Sequence, residues 1–275
     1  MINYVLGITL AFAASVSWAI SPILYRVGAS GSALDDLISN SAGAFILALP
    51  FIFLRPPLNV YAWVYGILFA ILGPVLGTYV FLISLRYADV GVANAVSYSY
   101  IVILPLLMLI FNSSYVIYLL PAAVITLGLY LLMGSGGGRV YGYAMALLSA
   151  VLYAFSFLAL YQAYDYTNPW GIVFVRGVIL MVGSLLLKIV LEGVRIRLSS
   201  KVFLAGLISY GIGGPLYVLS VYYAGIIIPT LITSLSPLIT EALAIIRLGE
   251  RLNFRMAVGF TMVVIGIIAA SIMNV

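Results

Sequence analysis

Two charged side chains of this sequence sit deep within long apolar runs: Arg176 and Glu241. Charge in such a setting is expensive, so it tends to face a water-filled interior and act on a solute, an ion or another side chain. A carboxyl at 241 can carry a proton, bind an amine, or serve as a neutral hydrogen-bonding acid. It also lies about one and a half turns before Arg247, near enough for a structural ion pair at the membrane edge. The Arg176 fork can grip a substrate carboxylate, or pair with Glu241 if their helices touch. Glu241 ends a polar stripe in which Thr230, Thr233, Ser234 and Pro237 precede it at spacings that put all five on one helix face. Asn94, Ser97, Tyr98, Ile101 and Pro105 form a matching stripe 136 residues earlier. Paired stripes of this kind make the wall of a cavity, although small hydroxyls also pack helix against helix.

Other residues fit the same interior. Trp18 is mid-span, and Tyr79, Tyr98, Tyr153 and Tyr217 are among 21 tyrosines, many of them away from the interfaces. Rings with a polar tip suit amphipathic organic solutes and, through cation–π contact, organic cations, while ordinary packing explains any single one. Ser21 and Ser156 add hydrogen-bonding groups. The candidate solute-binding set is therefore Trp18, Ser21, Tyr79, Asn94, Ser97, Tyr98, Tyr153, Ser156, Arg176, Tyr217, Thr230, Thr233 and Ser234, with Glu241 for proton or ion coupling. Pro74, Pro105, Gly214, Pro215 and Pro237 interrupt apolar runs. Each Pro removes a backbone donor and frees a carbonyl, so these are candidate hinges, with static curvature as the plainer reading.

Of the 275 residues, 65% are hydrophobic and only 7% are charged. An ordinary soluble domain is about one quarter charged, so this chain must use lipid as part of its solvent. With no His and no Cys, zinc sites, disulfides, thiol nucleophiles and Ser-His-Asp catalysis are excluded. No catalytic residue, metal or cofactor is expected, and the chain does not read as an enzyme. Ten apolar stretches have the roughly 20 residues needed to cross a bilayer: 3–24, 36–54, 60–85, 90–111, 115–134, 140–162, 169–190, 202–224, 227–247 and 253–273. They are too long and too continuously apolar for barrel strands. Ala11-Phe12-Ala13 imitates a signal cleavage site, but no Lys or Arg precedes the run, which reads as a retained span. Gly134-Ser135-Gly136-Gly137-Gly138 lacks the Lys-Ser/Thr of a P-loop and reads as a linker.

That linker divides the chain into a five-helix repeat over 1–134, a Gly-rich joint at 135–139 and a second repeat over 140–275. Leu76-Gly77 falls on Ile212-Gly213, Ser84 on Ser220, and Tyr87-Ala88 on Tyr223-Ala224 at the same 136-residue shift. Five spans per half require opposite insertion, so the expected fold is all-α, ten transmembrane helices in two inverted repeats. The second half then reads Tyr223-Ala224, Ser236-Pro237-Leu238, Leu248-Gly249-Glu250-Arg251-Leu252, Gly259 and Gly266. This resembles the EamA family of the drug/metabolite transporter superfamily, with its Tyr-Ala element, Pro in the ninth helix, Leu-Gly-Glu before the tenth and spaced glycines within it. The first half departs from the pattern, with Asn112-Ser113-Ser114 where a counterpart of Glu250 would stand. The resemblance implies movement of small metabolites, commonly amino acids, through a cavity between the halves.

Orientation is read from Lys and Arg in short loops. Connections after odd-numbered spans hold or border ten of them, from Arg26 and Arg86 to Arg251 and Arg255, against Arg55 alone on the other side. That bias puts both termini outside, whereas the resemblance implies termini inside. The expected function is secondary transport of an amino-acid-like solute by alternating access, in a multi-pass protein of the cell membrane. The alternative is a proton-coupled exporter of organic cations. The partners expected are a small solute, protons and the lipid bilayer, with no nucleic acid; both a monomer and a homodimer fit the sequence.

Overall fold

Apolar runs of this length leave helix as the one way to satisfy every backbone donor and acceptor away from water, and local capping chemistry sets where each helix begins. The computed structural model describes residues 2–29, 31–53, 59–132, 138–248 and 254–273. Most of the expected joint, together with Arg55 and the Gly249–Leu252 part of the family-like motif, lies outside the described residues. The helices are α1 (Ile2–Gly28), α2 (Ala33–Ala48), α3 (Val60–Ala70), α4 (Thr78–Tyr87), α5 (Val90–Ser97), α6 (Tyr100–Met108), α7 (Leu119–Leu132), α8 (Val140–Ala163), α9 (Pro169–Glu192), α10 (Ser200–Gly206), α11 (Gly214–Ala224), α12 (Ile227–Ile232), α13 (Leu235–Leu248) and α14 (Phe254–Ile272). Ser32 and Asp35 form a reciprocal capping box at α2, and Asn168 caps α9 with Pro169 in its first turn. Gly193 (φ 86°) and Gly225 (φ 74°) stop α9 and α11 in a conformation that side chains rarely adopt.

Eight stretches among the described residues are long and apolar enough to cross a membrane: Asn3–Gly28, Val60–Tyr87, Val90–Met108, Ser113–Leu132, Val140–Ala163, Pro169–Glu192, Ser200–Ala224 and Phe254–Ile272. The other two expected spans are shorter as regular helix. The run at 36–54 begins earlier, at Ala33, and tightens into a 3₁₀ turn over Leu49–Phe53, where Pro50 cannot donate. The run at 227–247 is broken at Thr233-Ser234 between α12 and α13.

The breaks repeat. A π-helical turn spans Ile71–Gly77 between α3 and α4, and another spans Leu207–Gly213 between α10 and α11, at the 136-residue shift seen in the sequence. The interruption at Tyr98-Ser99 between α5 and α6 matches the one at Thr233-Ser234 to within a residue. Packing is reciprocal as well: α1 runs along α10, its π turn and α11, while α8 runs along α3, its π turn and α4. Each half therefore completes the other. Helices α7 and α14 approach at Gly128 and Gly259, where an added Cβ on either would come within 2.8 Å of the other's carbonyl oxygen.

Buried charge collects at the start of α2. Lys188 of α9 pairs with Asp35 at 2.8 Å and Glu192 at 2.7 Å, and Arg86 of α4 pairs with Asp36 at 2.5 Å. Asp35 also accepts from the backbone N–H of Arg197. These partners compensate the desolvation of the carboxylates and tie α2 to α4 and α9.

Candidate functional site

The two π turns and the helices that cross them enclose a cleft of about 730 Å³, its open mouth included. Both halves build it. From the sequence-derived set, Trp18, Ser21, Asn94, Ser97, Tyr98, Tyr153, Arg176 and Tyr217 line the cleft, and so does the candidate hinge Pro74. Trp18 packs on Tyr217 with ring centroids 5.2 Å apart, and Tyr217 on Phe157 at 4.9 Å. Phe157 in turn meets Tyr100 edge-on at 5.2 Å. The result is a wall of rings with few polar atoms.

Two polar side chains of the wall are held by backbone carbonyls of the second π turn. Trp18 donates Nε1–H to the Ser209 carbonyl at 3.0 Å, and the Arg176 guanidinium donates to the Tyr210 carbonyl. On the opposite side Ser149 donates to the Gly77 carbonyl at 2.9 Å. A wide turn exposes carbonyls that a regular helix would use internally, and here side chains from crossing helices take them up. Thr78 joins the two sides: its hydroxyl lies 2.5 Å from the Tyr210 hydroxyl and 3.1 Å from that of Tyr153.

Arg176 is 4% exposed and carries the only formal charge in the cleft wall among the described residues. Among the described residues no carboxylate pairs with it, and its Nε has no hydrogen-bond partner. The Tyr210 ring lies 5.5 Å from the guanidinium carbon. Gly214 makes room for it, since a Cβ at 214 would collide with the guanidinium. The residue read as a hinge thus also serves as clearance for the cation. Pro215 follows directly at the start of α11, and both are buried.

The remaining candidates lie elsewhere. Thr230, Thr233 and Ser234 stand behind the wall and not on it. Thr230 bonds the Tyr217 hydroxyl at 2.7 Å and Thr233 bonds the Tyr100 hydroxyl at 2.9 Å, so they brace the cavity tyrosines from outside. Ser234, in the break between α12 and α13, donates to the Leu231 carbonyl of α12. Ser156 donates to the Phe69 carbonyl at 2.7 Å, and Tyr79 packs on a separate apolar cluster around Leu82 and Leu85. Pro105 is buried within α6. Pro237 and Glu241 line a smaller recess beside the cleft, and the envisaged Arg176–Glu241 pair is absent among the described residues. The side chain of Arg247 lies outside the described residues. Sequence reasoning did not pick out Tyr25, Thr78 or Ser209. Thr78 follows Gly77, and Ser209 falls within the π turn, so the polar residue at a Gly-flanked break was the available signal.

The EamA-like transporter family profile matches the chain twice, over residues 5–134 and 140–272. The chain belongs to the EamA-like transporter family. It is accordingly a multi-pass membrane protein of the drug/metabolite transporter superfamily, whose members of this family are transporters. Twenty-nine chains of solved structures match this EamA-like protein. One of them, described as "Crystal structure of protein", superposes with a TM-score of 0.72 at 16% identity, covering 98% of this chain and 97% of that chain. At that identity the likeness concerns the fold. No curated protein matches.

Proposed function

We propose that this EamA-like protein is a secondary transporter of small organic solutes bearing a carboxylate, amino-acid-like solutes first among them, and that Arg176 grips the carboxylate. The observation that carries this reading is a buried guanidinium in an aromatic cleft with no acidic partner among the described residues. A carboxylate presented to its free edge gains charge-assisted, forked hydrogen bonds where water is scarce. Asn94 adds a buried Nδ2 donor without a partner. The rings of Trp18, Tyr98, Tyr153 and Tyr217 then cover the apolar body of the solute. A fixed positive charge disfavours the organic cations of the alternative reading.

The scaffold proposed is ten crossings in two oppositely inserted five-helix halves, with the matched π turns as flexing points. Lining residues Tyr25 and Asn94 sit near the helix ends that carry Arg26 and Asp89, so the cleft leans toward the basic end of the bundle. With that end in the cytoplasm, by the positive-inside rule, the cleft faces inward.

The test is a thermal-shift screen of purified protein against amino acids, organic acids, organic cations and sugars, followed by counterflow in proteoliposomes. A solute at one hundred times its Kd stabilises by about 2.7 kcal/mol. Shifts confined to carboxylate-bearing solutes support the reading, and a shift confined to cations overturns it.

A further inference from the structure

We propose that the connection between α9 and α10 seats an anionic phospholipid, with Arg195 and Arg197 on the headgroup phosphate and the outward face of α9 along the acyl chains. The connection joins two stretches able to cross the membrane, Pro169–Glu192 and Ser200–Ala224, so residues 193–199 lie where hydrocarbon gives way to headgroups. Val194, Ile196 and Leu198 alternate there with Arg195 and Arg197. All five side chains are exposed, with Val194 at 78% and Leu198 at 68%. Water disfavours the aliphatic groups and hydrocarbon disfavours the arginines, whereas the boundary between the two suits both.

The segment is held by its backbone. The Arg197 N–H donates to Asp35 Oδ1 at 3.1 Å, the Ser199 N–H to Ser39 Oγ at 3.0 Å, and the Ser199 hydroxyl to the Gly28 carbonyl at 2.7 Å. The chain thus crosses the start of α2 with its main chain anchored and its arginine side chains left over. Gly28 also admits the stem of Lys201, since a Cβ at 28 would stand 2.8 Å from the Lys201 Cβ, so a third exposed cation sits beside the segment. Below it, Val182, Leu186 and Ile189 recur at steps of four and three, all exposed, and form one apolar face of α9 that runs up to Gly193. From Val182 to Gly193 that face is about 16 Å long at 1.5 Å per residue, close to the roughly 15 Å of one hydrocarbon leaflet. An apolar face the length of a lipid tail, capped by two guanidiniums, matches both ends of a phospholipid.

Charge decides which phospholipid. The carboxylates of the α2 cluster are already spent, Asp35 and Glu192 on Lys188 and Asp36 on Arg86. Among the described residues no carboxylate pairs with Arg195, Arg197 or Lys201. A zwitterionic headgroup brings an ammonium that finds only like charge here, whereas a phosphodiester with an uncharged head, as in phosphatidylglycerol, brings the negative charge alone. The guanidinium forks onto phosphate oxygens, which suits arginine to such a seat. A positive-inside bias needs basic residues in this connection, but neither their alternation with exposed aliphatics nor an anchored backbone. The aliphatic groups likewise favour a lipid over a free anion such as inorganic phosphate.

The experiment follows the unfolding temperature of the full chain in nonionic detergent while dioctanoyl phosphatidylglycerol, dioctanoyl phosphatidylcholine or glycerol phosphate is titrated in, with no transport solute present. The expected result is stabilisation by phosphatidylglycerol alone, fading as sodium chloride rises from about 0.05 M to about 0.5 M. In the Arg195→Gln/Arg197→Gln double variant the concentration giving half the effect should rise about 30-fold, and in either single variant about fivefold, which serves if the double variant does not fold. Arg139→Gln, which removes an exposed cation that lies against Tyr87, should leave the titration unchanged. Absence of a phosphatidylglycerol effect overturns the proposal, and equal stabilisation by phosphatidylcholine does so by reducing the effect to the covering of apolar surface. Equal stabilisation by glycerol phosphate makes the site one for a free anion. An effect that the Arg195 and Arg197 variants leave intact, or that Arg139→Gln weakens as much, removes the lipid from this connection.

Discussion

Replacing Arg176 with Gln removes the charge and leaves a shorter, neutral amide donor in its place. Hydrogen bonds to a charged group are worth about 1.5–3 kcal/mol, so the carboxylate solute should bind about 10- to 100-fold more weakly, read as a rise in Kd by thermal shift or calorimetry. Gly214→Ala should act on the same site from the other side. The colliding atoms belong to the flexible end of Arg176 and not to backbone, so the methyl should displace the guanidinium and leave the helix intact. The expected outcome is weakened solute binding with an unfolding temperature close to that of the wild type. Wild-type affinity in Gly214→Ala would show that the guanidinium does not need its observed position.

At the level of elements, the π turns and the charged cluster at α2 make different predictions. Pro74 and Pro215 keep the matched turns from regularising into continuous helix. Substituting both with Ala should slow counterflow while leaving equilibrium solute affinity near the wild-type value. Equal loss of both would mean that the prolines shape the cleft and do not govern movement. Asp35→Asn should instead cost stability, about 3 kcal/mol, because it strips a buried partner from Lys188, which is about 5% exposed at its side chain. Glu192 remains to Lys188, so the loss should stay partial in a denaturation series. Eight of the ten expected spans were legible in the sequence, since bilayer thickness dictates their length and apolarity. The polar residues of the two stripes were legible, but not the breaks at Tyr98-Ser99 and Thr233-Ser234 that divide each expected single face between two helices, nor which way each piece turns. Asn94, Ser97 and Tyr98 meet the cleft, whereas Thr230, Thr233 and Ser234 brace it from behind. Spacing along a helix defines a stripe, while the rotation of the helix about its axis depends on all its neighbours. The same holds for Arg176: its depth was readable from the apolar run around it, and its clearance at Gly214 was not.

For the whole molecule, the asymmetry of basic residues predicts topology. The protein has no Cys, so single cysteines report cleanly. Arg195→Cys, in the exposed connection after α9, should resist a membrane-impermeant maleimide in intact cells, and Asn112→Cys, at the opposite end, should react. The inverse pattern would place the termini inside and make the cleft outward-facing. The reciprocal packing of the halves also bears on how the protein comes into being. Trp18 finds its acceptor 191 residues further along the chain. At about 5–20 residues per second of synthesis, α1 waits roughly 10 to 40 s before the segment that receives it has been made. During that interval its polar face, with Ser15, Ser17 and Trp18, must be sheltered by lipid headgroups, by the insertion machinery or by provisional neighbours. Assembly of the cleft is therefore a late event, begun only when the eighth apolar run enters the bilayer, and two separately expressed halves should be able to find each other there.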